Sequence, residues 1–119
     1  MAYACRALLQ SVNAVWRRDR DISLRSLVVF LCVCENEGIR IKELAYACGT
    51  NEASVSRSVQ ALCLPSNRRC SVSHQGLLHV FQNPDDRRNR LVFLTEDGKQ
   101  LRGEIDTIFA VRALPGAGV

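Results

Sequence analysis

The sequence predicts a mainly α-helical domain of about five helices with one small β-hairpin, and three observations carry that prediction. Apolar residues recur three and four positions apart in five separate segments, the spacing of a buried helical face. Between the fourth and fifth of these, Leu78 and Val80 and then Leu91 and Phe93 alternate in the manner of strands, on either side of the turn-forming Asn83, Pro84 and Asp85. The chain has 119 residues, 47% of them hydrophobic and 24% charged, which suits one domain around one core and argues against disorder.

The first helix is expected over residues 2–18, within an N-terminal segment 1–20, where Leu8, Leu9, Val12, Val15 and Trp16 make one apolar stripe. That stripe has no partner in its own segment, so it must pack on the body or on a second copy of the chain. Cys5 lies near its start, beside Tyr3. After a charged break over residues 17–21, Ser23 can cap a second helix in which Leu24, Leu27, Val28 and Leu31 recur and which Gly38 ends. The run Val28-Val29-Phe30 could be a buried strand, but the length of the segment favours a helix.

Ile41, Leu44, Ala45 and Cys48 mark a third helix of about two turns, with Gly49 just past its end. Asn51 can cap the fourth, and Glu52 suits its positive N-terminal dipole. There Val55, Val59 and Leu62 should face inward, leaving Ala53, Ser54, Ser56, Arg57 and Gln60 outward. Residues 63–75 read as an inserted loop, polar and without period. The hairpin occupies residues 76–95. Thr95 then caps a fifth helix, over 96–114, with Glu96 and Asp97 in its first turn and Leu101, Ile105, Ile108 and Phe109 as its stripe.

Charge is more informative in its placement than in its size. Residues 53–95 hold six arginines against two aspartates and so carry the whole formal charge of +4, while the rest balances ten basic with ten acidic residues. A local positive face suggests a polyanionic partner. The longest apolar run, residues 27–34, is too short to span a membrane, and the N-terminus lacks a signal-peptide pattern, so a soluble, cytoplasmic protein is expected. The six cysteines do not form paired CxxC spacings, and buried free thiols are the plain reading of Cys32, Cys34 and Cys48. Cys63, Cys70, His74 and His79 match no zinc motif, and no metal or other cofactor is implied. His74 and His79 have no activated Ser or Cys at a recognisable spacing, and the glycines form no phosphate cradle, so an enzyme is not expected.

Two short helices joined by a glycine-containing turn, the second with one apolar side and one of Ser, Arg and Gln, describe a helix-turn-helix. Small residues at the start of the second helix let it approach a phosphate, while Arg57 and Gln60 can make paired hydrogen bonds to base edges. In the hairpin, Asp85 and Asp86 sit beside Arg87, Arg88 and Arg90. A carboxylate two residues before an arginine can brace its guanidinium and hold the cation out from the body.

With both features assigned, the chain resembles the MarR family of winged-helix transcription regulators. The likeness runs over residues 22–110. It is carried by IKELAYACGTNEASVSRSVQAL (residues 41–62), a helix-turn-helix, and by Gly76-Leu77-Leu78 followed by DRRNRLVFLT (residues 86–95) and Gly98, a wing and the capped helix after it. The resemblance implies a dimeric regulator that reads a palindromic operator in double-stranded DNA. Ser54, Ser56 and Arg57 would face the major groove, Arg88 would reach the minor groove with Asp86 bracing it, and Arg87 and Arg90 would contact phosphates. It further implies a homodimer through the terminal helices and release of DNA by a small aromatic effector or by cysteine oxidation, for which Cys5 is the candidate. Two departures are visible. Thirteen residues separate Leu62 from Gly76 where the family needs one or two, which offers Arg68 and Arg69 as extra contacts. The family's last helix is missing beyond Leu114, which reduces the dimer contact and the effector pocket beneath it. The competing reading is a winged-helix module that binds an acidic protein surface without binding DNA, since a fold does not fix a function.

Overall fold

A computed structural model describes residues 2–63 and 76–113. Its elements follow in the order α1 (Ala2–Arg18), α2 (Leu24–Glu35), β1 (Ile39–Arg40), α3 (Ile41–Ala47), α4 (Glu52–Cys63), β2 (Leu78–Asn83), β3 (Asp86–Leu94) and α5 (Glu96–Ala113). Five helices and a small antiparallel sheet agree with the class the sequence predicts. Of the expected loop of residues 63–75, Cys63 belongs to α4, and residues 64–75, with Arg68, Arg69, Cys70 and His74, lie outside the described residues.

Local chemistry starts and stops these helices. Ser23 caps α2 by accepting from the Ser26 N–H at 3.0 Å, and Asn51 Oδ1 caps α4 by accepting from the Ser54 N–H at 2.8 Å. Between α3 and α4 the chain reverses at Gly49, whose φ of +69° favours glycine, and the Thr50 N–H returns to the Ala45 carbonyl at 3.0 Å. Thr95 Oγ1 accepts from the Gly98 N–H at 3.1 Å and donates to the Gly76 carbonyl at 2.6 Å, so one hydroxyl caps α5 and ties down the start of the hairpin. Gly98 has no room for a side chain, because a Cβ there would run into the Leu77 carbonyl oxygen.

The faces of the first two helices differ from expectation. On α1 the buried residues are Ala7, Ser11, Ala14 and Val15, which pack α1 on α5, while Leu8, Leu9, Val12 and Trp16 stay exposed. On α2 the core takes Ser26, Val29, Phe30 and Val33, and the predicted stripe of Leu24, Val28 and Leu31 is exposed, with Leu27 half-buried. Close packing explains both. α1 meets α5 through small side chains that let the helices approach, and α2, apolar on more than one side, buries the side carrying Phe30. Phe30, Leu44, Leu62, Leu78, Leu101 and Val92 form the centre of one core shared by α2, α3, α4, the sheet and α5.

The sheet has the order β1-β3-β2. β1, which the sequence did not announce, pairs Ile39 with Val92 and Arg40 with Leu91, and the Gly38 N–H donates to the Val92 carbonyl at 2.8 Å. This extra strand binds the base of the hairpin to the entrance of α3. Glu37 strengthens the junction: one carboxylate oxygen accepts from the Leu94 N–H at 3.2 Å and the other lies 3.5 Å from Arg102 of α5. β3 is longer than predicted, starting at Asp86 rather than near Leu91. Its ladder with β2 runs evenly from Leu78↔Leu94 to Gln82↔Arg90, then jumps to Asn83↔Asp86. Arg87, Arg88 and Asn89 therefore form a bulge with no partner across the ladder.

Candidate nucleic-acid interface

The hairpin tip is built from two side-chain turns. Asn83 Oδ1 accepts from the Asp85 N–H and Asp86 Oδ1 from the Arg88 N–H, each at 3.0 Å. The second bond corrects the expectation for Asp86, whose carboxylate holds the backbone of Arg88 rather than its guanidinium. The short aspartate side chain reaches the amide two residues on, while the long arginine side chain extends from the bulge into solvent. Arg88 is exposed and, among the described residues, its guanidinium has no hydrogen bond or ion pair.

Arg90 behaves differently. Its Nη2 donates to Ser56 Oγ on α4 at 3.3 Å, so the hairpin is tethered directly to the second helix of the helix-turn-helix. Beside this contact lies an open groove of about 700 Å³ lined by Arg40, Lys42, Glu52, Gln82, Asp86, Arg88, Asn89 and Arg90. Four cations face two carboxylates there, leaving the trough positive.

A second, shallower hollow of about 410 Å³ lies on another side of α4, between it and the start of α2, lined by Ser23, Arg25, Ser26, Ser54, Arg57, Ser58 and Ala61. Arg25 and Arg57 bring positive charge to it with no carboxylate in its lining. Ser54 is the clearest departure on α4: expected outward, it is buried, and its Oγ accepts from Arg57 Nη2 at 3.5 Å. Being small, Ser54 and Ser58 let α4 approach α2, where a larger residue would hold the helices apart. The outward face is thus Ala53, Arg57 and Gln60, with Ser56 half-buried beside the hairpin.

Solved structures with this arrangement are known. Rv1404 of Mycobacterium tuberculosis aligns with a TM-score of 0.64 at 19% identity, over 92% of this chain and 68% of that one. BpsR of Bordetella bronchiseptica, whose DNA binding is regulated by 6-hydroxynicotinic acid, aligns with a TM-score of 0.59 at 23% identity, over 90% and 75%. A MarR-like transcriptional regulator of Thermotoga maritima aligns with a TM-score of 0.58 at 32% identity, over 76% of this chain and 57% of its own length. The chain has a MarR-like winged-helix fold. No protein-family model matches the sequence, and a search of curated proteins returns no match.

In the MarR-like fold of this chain, α3 and α4 are the helix-turn-helix and β2 and β3 the wing. Arg57, Gln60, Ser56, Arg88 and Arg90 are gathered on and around α4, whereas Arg87 belongs to the wing bulge and Cys5 is an exposed thiol on α1. Sequence reasoning missed Arg25, Arg40 and Lys42. Arg40 and Lys42 come within reach of the wing only because β1 pairs with β3, a two-residue strand too short to leave a periodic signal. Among the described residues no three of His, Cys, Asp or Glu are grouped to hold a metal ion, and His79 stacks on Phe93 with ring centroids 5.6 Å apart. No described helix is long and apolar enough to cross a membrane.

Proposed function

We propose that the protein is a sequence-specific double-stranded DNA-binding transcriptional regulator that acts as a MarR-like homodimer on a palindromic operator. The observation that carries this reading is the Arg90–Ser56 contact, which sets the wing against α4 beside a trough where Arg88 and Arg90 of the wing, Arg40 of β1 and Lys42 of α3 outnumber two carboxylates. In this reading Arg57 and Gln60 address base edges in a major groove, and Arg88, free at the wing bulge, enters the adjacent minor groove. Arg40, Lys42, Arg25 and Arg87 neutralise phosphates, Arg90 sets the wing against α4, and Arg68 and Arg69 remain candidates for additional contacts.

The dimer is supported by the outer face of α1. Leu8, Leu9 and Trp16 are 58, 59 and 47% exposed, on one face that ends in an Arg20 guanidinium 4.4 Å from the Trp16 ring. An apolar surface of that kind on a terminal helix marks an association site. A small aromatic effector is a further element of the proposal, by analogy with BpsR alone. Selection from a random duplex pool tests the reading: a palindromic product with half-sites one helical turn apart is expected. Recovery of no enriched sequence, with no duplex binding at low salt, would instead favour a protein-docking module.

A further inference from the structure

Two of the cysteines that the helix-turn-helix does not use meet between α2 and α3. Cys48 donates its S–H to Cys32 Sγ with the sulfurs 3.6 Å apart, and both residues are half-buried free thiols at the edge of the core. We propose that Cys32 and Cys48 form a dithiol site that captures trivalent arsenicals of the type R–As(OH)2, bridging α2 and α3.

The separation selects among the chemistries open to two thiols. A disulfide needs its sulfurs about 2.05 Å apart, so the two sulfurs would have to close by roughly 1.5 Å and give up two electrons to an oxidant. A tetrahedral or pyramidal centre bonded to each sulfur at about 2.3 Å sets them about 3.5–3.8 Å apart, which the pair already satisfies. Protonation narrows the choice further. Burial, with the neighbouring Cys32, pushes the Cys48 thiol up to about 11. Zinc or copper ions bind thiolates and must first displace those protons, and hydroperoxides likewise react with the thiolate. An arsenous dihydroxide does not carry that penalty. Two S–H groups condense with R–As(OH)2, two As–S bonds replace two As–O bonds, and each hydroxide leaves with a thiol proton as water. No electron is transferred and no net proton is released. The arsenic then has two sulfurs and its own carbon as ligands, so it needs no third protein donor, and none is grouped with the pair among the described residues. Cys34, pushed up to about 12 by burial, and Cys63 have no sulfur within hydrogen-bonding distance among the described residues.

Phenylarsine oxide on the reduced full-length protein tests the site without DNA, so its outcome is separate from that of the regulator proposal. One phenylarsenic per chain is expected by intact mass, with loss of two titratable thiols and a peptide map joining the segments of Cys32 and Cys48. Cys32→Ser and Cys48→Ser should each weaken capture at least about 100-fold by removing the chelate, whereas Cys34→Ser should leave it unchanged. Capture should be flat from pH 6 to 8. Mapping to another pair, undiminished capture by folded Cys32→Ser, or a tenfold rise per pH unit would each overturn the assignment. The wild-type peptide map decides the matter if the serine variants do not fold.

Discussion

Replacing Arg88 by Ala separates the wing's role in binding from its role in the fold. The side chain is exposed and without a partner among the described residues, and the bond from its own N–H to Asp86 survives truncation. Folding stability should therefore change by less than about 0.5 kcal/mol. An arginine inserted in a narrow, negative groove contributes roughly 1–3 kcal/mol to binding, so each half-site should lose roughly 5- to 150-fold in affinity. Charge supplies a second, independent readout. With three or four phosphate contacts per protomer, the slope of log K against log salt for a dimer is about −5 to −7, and loss of one cation from each protomer should flatten it by about 2. Fluorescence anisotropy on the selected operator across a salt series measures both. Equal affinity and slope in wild type and a variant of unchanged melting temperature would remove Arg88 from the interface and with it the proposed use of the wing.

Gly98→Ala gains helix propensity but drives a methyl group into the Leu77 carbonyl, and the backbone oxygen cannot rotate away. The net loss should be about 1–3 kcal/mol in urea denaturation, and an unchanged midpoint would refute the close approach of α5 to the hairpin. Asp19 is a buried carboxylate whose pKa is raised above its ordinary value of 3.8, first by desolvation and then by repulsion from Asp21, which together outweigh the Asp21 N–H that it accepts. Its folded state binds the proton more tightly than the unfolded one, so its charge destabilises the fold above the raised pKa and that cost fades as pH falls toward 3.8. Asp19→Asn keeps an acceptor for the Asp21 N–H and should melt higher than wild type at pH 7, with the gap closing at acid pH. A gap that persists at pH 3 would point to a cause other than the carboxylate. Leu9→Glu places a charge on the exposed stripe of α1 and should leave a folded monomer in sedimentation equilibrium, whereas an undisturbed dimer would move the contact off that face.

How much was legible beforehand depends on how local each determinant is. Caps and turns rest on a few neighbouring residues, and so Ser23, Asn51, Thr95 and Gly49 announce the boundaries of α2, α4, α5 and α3. Which side of a helix turns inward is set by what it meets. α2 offers apolar side chains in several directions, and the core selected Phe30 with Val29 and Val33, a choice made by α4 and the sheet rather than by α2 itself. On α1 the large apolar residues drew attention to the wrong side, because the α5 contact is built on Ala7, Ser11 and Ala14. Leu8, Leu9 and Trp16 were recognisable as one stripe, and the option that they await a second chain is the one consistent with their exposure.

The site was legible in composition but not in arrangement. A run of arginines after a turn identifies a cationic hairpin, yet the register jump that lifts residues 87–89 out of the ladder depends on pairing with β2, which no local pattern encodes. That jump divides the wing's arginines by position. Arg90, where the even pairing with β2 resumes after the bulge, points back to Ser56 and holds the wing against α4, while Arg88, inside the bulge, has no side-chain partner among the described residues. Two arginines that look alike in sequence thus fall into different environments, and the same logic sorts the serines of α4. Ser56 meets the wing, Ser54 and Ser58 meet α2, and the face left for a duplex narrows to Ala53, Arg57 and Gln60. If that face and the wing read DNA together, Ser56→Ala should loosen their relative angle, so that it weakens specific binding more than binding to random duplex. Arg57→Ala should reduce both, because it removes a charge as well as a base contact.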